Sequence, residues 1–415
     1  MDRAQLARRL GAPAGFVAEA RREATIIEVG EPRRFMTELA AATAQGGTVM
    51  LASESWGETE RRQLAVMQQM EPATPPTAAG KGWLCIPTGG TGGKMKFARH
   101  DEETIAAAVK GFTRHFAMDQ VNAVGVLPLH HVSGLMAWMR CALTGGEYLP
   151  LDWKAVEGGA LPPLPAKPAG WVISLVPTQL DRLLRSDRAA DWLQQYRIIF
   201  LGGGPAWPGL LEKTAARQLP ISLGYGMTET AAMVTALQPH EFLAGARSCG
   251  AALPHARVKV GPGGEIFIGG DSLFRGYHPY WRDRWDFETD DRGRLDEQGH
   301  LHVLGRRDAV IITGGEKVDP AEVETVLREA AGFTEVVVLG VPDAEWGQVI
   351  VAAYPRATQP DLAKGRTVMS SQLVSAKRPK HFVSLPDWPV NEQGKVNRAE
   401  VSRLVYAFIK SSSRS

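Results

Sequence analysis

Continuous apolar runs of strand length alternate with segments of helical apolar spacing through the middle of the chain. Residues 123–127, 171–176 and 197–201 form such runs, and residues 102–115 and 179–184 carry the helical pattern. Apolar runs without polar alternation suit strands covered on both faces, so this region predicts an α/β domain. Past about residue 255 the texture changes. Residues 257–260 and 265–268 flank Gly261-Pro262-Gly263-Gly264, which predicts a β-hairpin with a four-residue turn opening a sheet-rich subregion. Asp319-Pro320-Ala321-Glu322 has the acidic cap, early proline and glutamate of a helix start, here for residues 321–331. With strands predicted at 336–341 and 349–354, it describes a compact α+β domain. The expected organisation is a large N-terminal domain over 1–304, a junction at 305–308 and a small C-terminal domain over 309–415. Residues 1 to about 80 mix short charged helical patterns with small-residue loops, 72–77 read as an exposed connector, and 411–415 as a frayed tail.

Composition narrows the class. At 415 residues the chain exceeds one ordinary core, and 44% hydrophobic with 22% charged residues and 44 glycines describes a folded protein with many tight turns. Lys+Arg of 47 against Asp+Glu of 45 leaves a net charge of +2, which is not the footprint of a nucleic-acid binder. Cys85, Cys141 and Cys249 are far apart, with no CxxC or Cys/His spacing, so neither a disulfide framework nor a zinc site is signalled. No run reaches the ~18 apolar residues of a membrane span, and the N-terminus lacks a signal-peptide core. A cytoplasmic protein is expected.

Thr88-Gly89-Gly90-Thr91-Gly92-Gly93-Lys94-Met95-Lys96 follows the apolar stretch 83–87. A glycine-rich loop after a strand brings backbone N–H groups close to phosphate oxygens, and Thr88, Thr91, Lys94 and Lys96 add hydroxyl and ammonium donors. A Walker A loop would need glycine at 88 and Ser/Thr at 95, where Thr88 and Met95 stand; a dinucleotide fingerprint from Gly90 also fails at Met95.

Further along stand Gly224-Tyr225-Gly226-Met227-Thr228-Glu229-Thr230, Thr289-Asp290-Asp291, Gly305-Arg306-Arg307-Asp308 and Asn391-Glu392-Gln393-Gly394-Lys395-Val396-Asn397-Arg398. In this order, and with the glycine loop, they resemble the signature motifs of the adenylate-forming superfamily of acyl-CoA synthetases, adenylation domains and luciferases. The resemblance spans roughly residues 83 to 401. It implies a large α/β domain of several subdomains with a β-rich subregion, and a small mobile α+β lid. The nucleotide site would comprise Thr88, Gly90, Thr91, Gly93, Lys94 and Lys96 on phosphate, Gly203, Gly204, Tyr225 and Gly226 about the adenine, and Asp291 and Arg306 at the ribose. Thr228 would contact phosphate, Glu229 would hold Mg²⁺, Lys395 would bridge substrate carboxylate and nucleotide, and Asp308 would be the hinge. These parts suit the chemistry, because placing a carboxylate on the α-phosphate of ATP needs positioning and charge neutralisation more than a protein nucleophile.

Gly314-Gly315-Glu316-Lys317 resembles the loop brought against the pantetheine arm of CoA, so CoA is the implied thiol. Pro128-Leu129-His130-His131-Val132-Ser133-Gly134-Leu135 resembles the acyl-pocket segment. Together with residues 136–140 and 174–180 it is most similar to the o-succinylbenzoate–CoA ligases of menaquinone or phylloquinone synthesis. His131, Ser133, Gly202 and Met227 would line the acyl pocket, and Arg140 is the candidate for the substrate carboxylate that does not react. The chain departs from the family at Gly89, Gly92 and Met95, where two hydroxyls and a proline are missing, so a looser phosphate loop and weaker ATP affinity are expected. Asp290 replaces a glycine before the ribose aspartate. The implied partners are an aromatic carboxylic acid, ATP and CoA, with no nucleic acid; a homodimer is allowed for. An aromatic-acid adenylating enzyme loading a carrier-protein thiol and a degenerate nucleotide-binding protein are the alternatives.

Overall fold

The computed structural model of the protein describes residues 1–12, 24–70, 82–89, 95–282, 286–343, 345–390 and 396–412. The sequence-predicted connector at 72–77 therefore lies outside the described residues. The chain divides into two compact units, one of residues 1–203, 214–289 and 294–303, the other of residues 204–213, 290–293 and 304–415.

The first unit opens with a four-stranded sheet of β1 (Thr25–Ile27), β2 (Val49–Leu51), β3 (Leu84–Gly89) and β4 (Met95–His100), in that order. The first three are parallel and β4 returns antiparallel to β3, with Thr88 opposite Lys96 and Gly89 opposite Met95. A seven-stranded sheet follows, built from β5 (Asn122–Gly125), β6 (Tyr148–Pro150), β7 (Trp171–Leu175), β8 (Ile198–Leu201), β9 (Ile221–Met227), β10 (Ala232–Ala236) and β11 (Ala251–Ala252). Its order is β11-β10-β9-β8-β7-β5-β6, parallel from β9 to β6 and antiparallel at β10 and β11. All residues of β5 and β8 are buried, as their unbroken apolar runs require. Phe112, Phe116 and Phe200 pack ring to ring against this sheet, and the helix Glu102–His115 that carries Phe112 starts at the buried cap Asp101.

A further sheet orders β12 (Ala256–Val260), β13 (Glu265–Gly270), β14 (Asp286–Leu295) and β15 (Leu301–Arg306). The expected hairpin is β12–β13, paired from Ala256↔Gly270 to Val260↔Ile266. In the second unit β16 (Ile311–Thr313) pairs with β17 (Glu316–Val318), and β18 (Val337–Asp343), β19 (Gly347–Pro355) and β20 (His381–Leu385) form a mixed sheet. Val323 and Leu327 of the helix Pro320–Ala331 pack on one face of that sheet, and Val401 and Val405 of the helix Arg398–Ser412 on the other. The last helix runs on through Ser411 and Ser412, within the segment expected from the sequence to fray.

Candidate active site

β9 leaves the core as it approaches its end: Ile221, Ser222 and Leu223 are buried, while Gly224 to Met227 are partly exposed. Gly226 sits where no side chain fits, since a Cβ there would come within 2.1 Å of the Ala232 carbonyl oxygen. Thr228–Thr230 form one 3₁₀ turn between β9 and β10. The Thr230 hydroxyl accepts the Met227 N–H at 3.0 Å and lies 2.5 Å from the Ala232 carbonyl. Ala231 and Ala232 follow with φ of 50° and 79°, two consecutive non-glycine residues in the left-handed region. Such strain costs on the order of 1–2 kcal/mol per residue and persists where the surrounding contacts enforce it. What it fixes here is the presentation of Thr228 and Glu229.

Strands β3 and β4 both lie against this turn. Glu229, 6% exposed, accepts a 2.6 Å hydrogen bond from the Tyr277 hydroxyl to Oε1. The Lys96 ammonium stands 4.9 Å over the Tyr277 ring. His100, fully buried, donates Nε2–H to the Thr228 carbonyl at 2.7 Å. Burial is the main cause that lowers its pKa to about 4, so the imidazole is neutral at pH 7 and serves as a fixed donor. Asp101 beside it is held by Arg275 through bonds of 2.6 and 3.2 Å. Burial pushes the Asp101 carboxyl up, but the guanidinium prevails and the net pKa is lowered. Thus Thr88, Lys96, Thr228 and Glu229 are brought to one region, with Tyr277 and His100 as organising residues that the motifs did not reveal. Neither stands in a motif, and the Tyr277–Glu229 bond spans 48 residues, so only the fold exposes it. Gly90, Thr91, Gly93, Lys94 and Lys395 lie outside the described residues. Met95, which replaces the family's proline, donates its N–H to Gln63 Oε1 at 2.7 Å, a bond that proline has no hydrogen to make.

Tyr225 packs half-buried against Val234, Ile266 and Ile268. Gly202 continues β8, donating its N–H to the Leu175 carbonyl at 3.3 Å, and Gly203 takes φ +79°. These glycines and Tyr225 to Met227 occupy the carboxyl ends of neighbouring parallel strands, where ligands bind in α/β sheets. His131 caps the helix Val132–Thr144 half-buried, its ring centroid 4.2 Å from that of His130, and Ser133 is partly exposed in the first turn. Arg140, on the same helix, is 4% exposed, and its guanidinium carbon lies 4.1 Å from the Phe112 centroid. Its Nε has no hydrogen-bond partner, and no carboxylate among the described residues pairs with it. Burial lowers its pKa to about 10, still charged at neutral pH.

The second unit holds Gly204, Asp291, Arg306, Asp308, Gly314 and Gly315. Arg306 binds both Asp308 oxygens at 2.7 and 2.8 Å, reaches Asp290 at 3.2 Å and stands 4.0 Å from Asp291. Hydrogen bonding to Asp308 is the main cause that raises its pKa. The Asp290 that replaces a family glycine is therefore an extra carboxylate on Arg306. Gly314, at φ +56°, would place a Cβ 2.8 Å from the Trp346 ring, whereas Gly315 at φ +85° faces open space. Arg398, three places beyond Lys395, binds both oxygens of the buried Glu324 at 2.6 and 2.7 Å; Glu324 also accepts from Arg328 and from the Val338 N–H.

A family model described as AMP-binding enzyme matches residues 14–278, and one described as AMP-binding enzyme C-terminal domain matches residues 322–395. The 2-succinylbenzoate–CoA ligase of Listeria monocytogenes serotype 4b is 34% identical over 331 residues, covering 75% of this chain and 68% of the ligase. The indoleacetate–CoA ligase of Aromatoleum aromaticum is 31% identical over 343 residues, covering 77% and 66%. The solved o-succinylbenzoate CoA synthetase of Bacillus subtilis, in complex with its acyl-adenylate intermediate, superposes with a TM-score of 0.74 at 23% identity, covering 96% of this chain and 91% of that one. This last likeness establishes the fold.

Proposed function

This chain belongs to the AMP-binding enzyme family, and from that premise we propose that it is an ATP-dependent acid–CoA ligase whose acid is o-succinylbenzoate, serving menaquinone or phylloquinone synthesis. The substrate's reacting carboxylate attacks the α-phosphorus of ATP, pyrophosphate leaves, and the CoA thiol then displaces AMP from the acyl carbon. Thr88, Lys96 and Thr228, with the loop residues Gly90, Thr91, Gly93 and Lys94, donate to the phosphates, while Asp291 and Arg306 hold the ribose. Glu229 fits Mg²⁺: it offers one carboxylate held by Tyr277, and no cluster of three ligating side chains occurs among the described residues. One or two carboxylates plus substrate phosphates form the usual Mg²⁺ donor set. When bound, the ion neutralises phosphate charge. Lys395 stabilises charge during adenylation; turning about Asp308 then withdraws it and presents Gly314 and Gly315 to the pantetheine arm. The enzyme acts in the cytoplasm, in keeping with three unpaired cysteines.

The observation that carries the choice of acid is Arg140, a buried guanidinium with no carboxylate partner. Leaving such a charge unpaired is costly, and an aromatic substrate with a second carboxylate supplies the partner. A panel of aromatic and aliphatic acids, assayed for thioester formation with ATP and CoA, tests the reading. It predicts strong preference for o-succinylbenzoate; turnover of only simple benzoates or fatty acids would reject the acid while leaving the ligase class standing.

A further inference from the structure

Buried nitrogens without hydrogen-bond partners cluster around Arg140, on a residue not yet assigned a role. His255, in the link between β11 and β12, is 8% exposed, and neither ring nitrogen has a hydrogen-bond partner. Its ring presses on the helix Glu102–His115 so closely that a Cβ at Gly111 would lie 1.7 Å from Nδ1. Arg140 meets the same helix at the next residue, Phe112. The two side chains are near enough to interact electrostatically: burial first, and the Arg140 charge second, bring the His255 pKa down to about 4. With Arg140 Nε, three buried nitrogens stand here unsatisfied. The neutral imidazole has one N–H and one acceptor nitrogen, so one His255 nitrogen and Arg140 Nε are donors left without an acceptor, which is costly in a buried place. A carboxylate has the lone pairs to satisfy an imidazole N–H and a guanidinium together, and its charge answers that of Arg140.

We infer that His255 is a specificity-determining residue of the acyl site, donating a ring N–H beside Arg140 to the substrate carboxylate that does not react. The inference rests on the acid proposed above. Arg140 provides the charge and one face of donors; His255 provides a neutral donor from a different element. The pair would distinguish a dicarboxylate from the corresponding monocarboxylate without touching the reacting carbon. Gly111 is then the residue whose missing side chain makes room for the imidazole.

The test compares KM and kcat for o-succinylbenzoate and for the monocarboxylate analogue that keeps only the reacting carboxylate, in the full-length enzyme and in His255→Phe and His255→Gln. His255→Phe, which keeps a ring and loses both nitrogens, is expected to raise KM for the dicarboxylate about tenfold or more, with kcat within about twofold and KM for the analogue unchanged. His255→Gln, which retains an N–H, is expected to restore most of the discrimination. Because each variant is judged by the ratio of its two substrates, partial loss of folded protein cancels. If His255→Phe does not accumulate, His255→Leu is read in the same way. An equal rise in both KM values, or no rise in either, overturns the role of His255. Failure of the unmodified enzyme to use o-succinylbenzoate at all overturns the underlying choice of acid instead, so the two failures are distinguishable.

Discussion

Glu229 has one carboxylate oxygen already engaged, by the Tyr277 hydroxyl at 2.6 Å. That bond fixes the rotamer of the residue proposed to meet a metal ion and phosphates. Tyr277→Phe removes the hydroxyl and little else, so ATP–pyrophosphate exchange should fall about tenfold while the melting temperature changes little. Unaltered exchange would mean that Glu229 is held by other contacts. Lys395→Ala should lose adenylation by about 10²–10³ yet retain thioester formation from preformed acyl-adenylate, measured in separate half-reactions. Equal loss of both would reject its assigned role. Thr228 and Glu229 were legible because they stand together in a motif string, whereas Tyr277 and His100 were not, because their partners are distant in sequence and only folding brings them near.

At the scale of elements, unbroken apolar runs located β5, β7 and β8, and glycine-rich punctuation located the β12–β13 hairpin. β1 and β2 are not legible in the sequence, because three residues each are too few to show a period. They are nonetheless half of the sheet that ends in β3 and β4. The Gly-Lys-Val-Asn-Arg motif was read for its lysine, yet its arginine has a legible structural task. Arg398 ties the start of the last helix to Glu324, which is fully buried. Arg398→Ala leaves that carboxylate with Arg328 and a backbone N–H alone. Since the Arg398 side chain is half-exposed, a loss of about 1–2 kcal/mol is expected, read as a lower melting temperature, with Glu324→Gln in the Arg398→Ala background recovering part of it. A melting temperature unmoved by Arg398→Ala would show that the anchor carries no stability.

Across the whole molecule, buried neutral histidines couple stability to acid pH. His100 and His255 have folded-state pKa values of about 4, below the ordinary 6.5, because burial disfavours the charged ring. A depressed folded pKa means that the unfolded chain takes up protons first as the pH falls. Their contribution is therefore full above about pH 6.5 and declines toward pH 4, by up to roughly 3 kcal/mol for the fully buried His100 ring and by less for His255. The substrate-free melting temperature should drop steadily between pH 6.5 and 4.5; a flat profile there would contradict the burial of these rings.

In the proposed reaction the acid's own oxygen attacks the α-phosphorus before the thiol arrives. Turnover of o-succinylbenzoate labelled with ¹⁸O in its reacting carboxylate, with ATP, Mg²⁺ and CoA, follows that oxygen directly by mass spectrometry of the nucleotide and phosphate products. One labelled oxygen is expected in AMP for every thioester formed, and none in pyrophosphate. Label in inorganic phosphate alongside ADP, or thioester formed with unlabelled AMP, would contradict it.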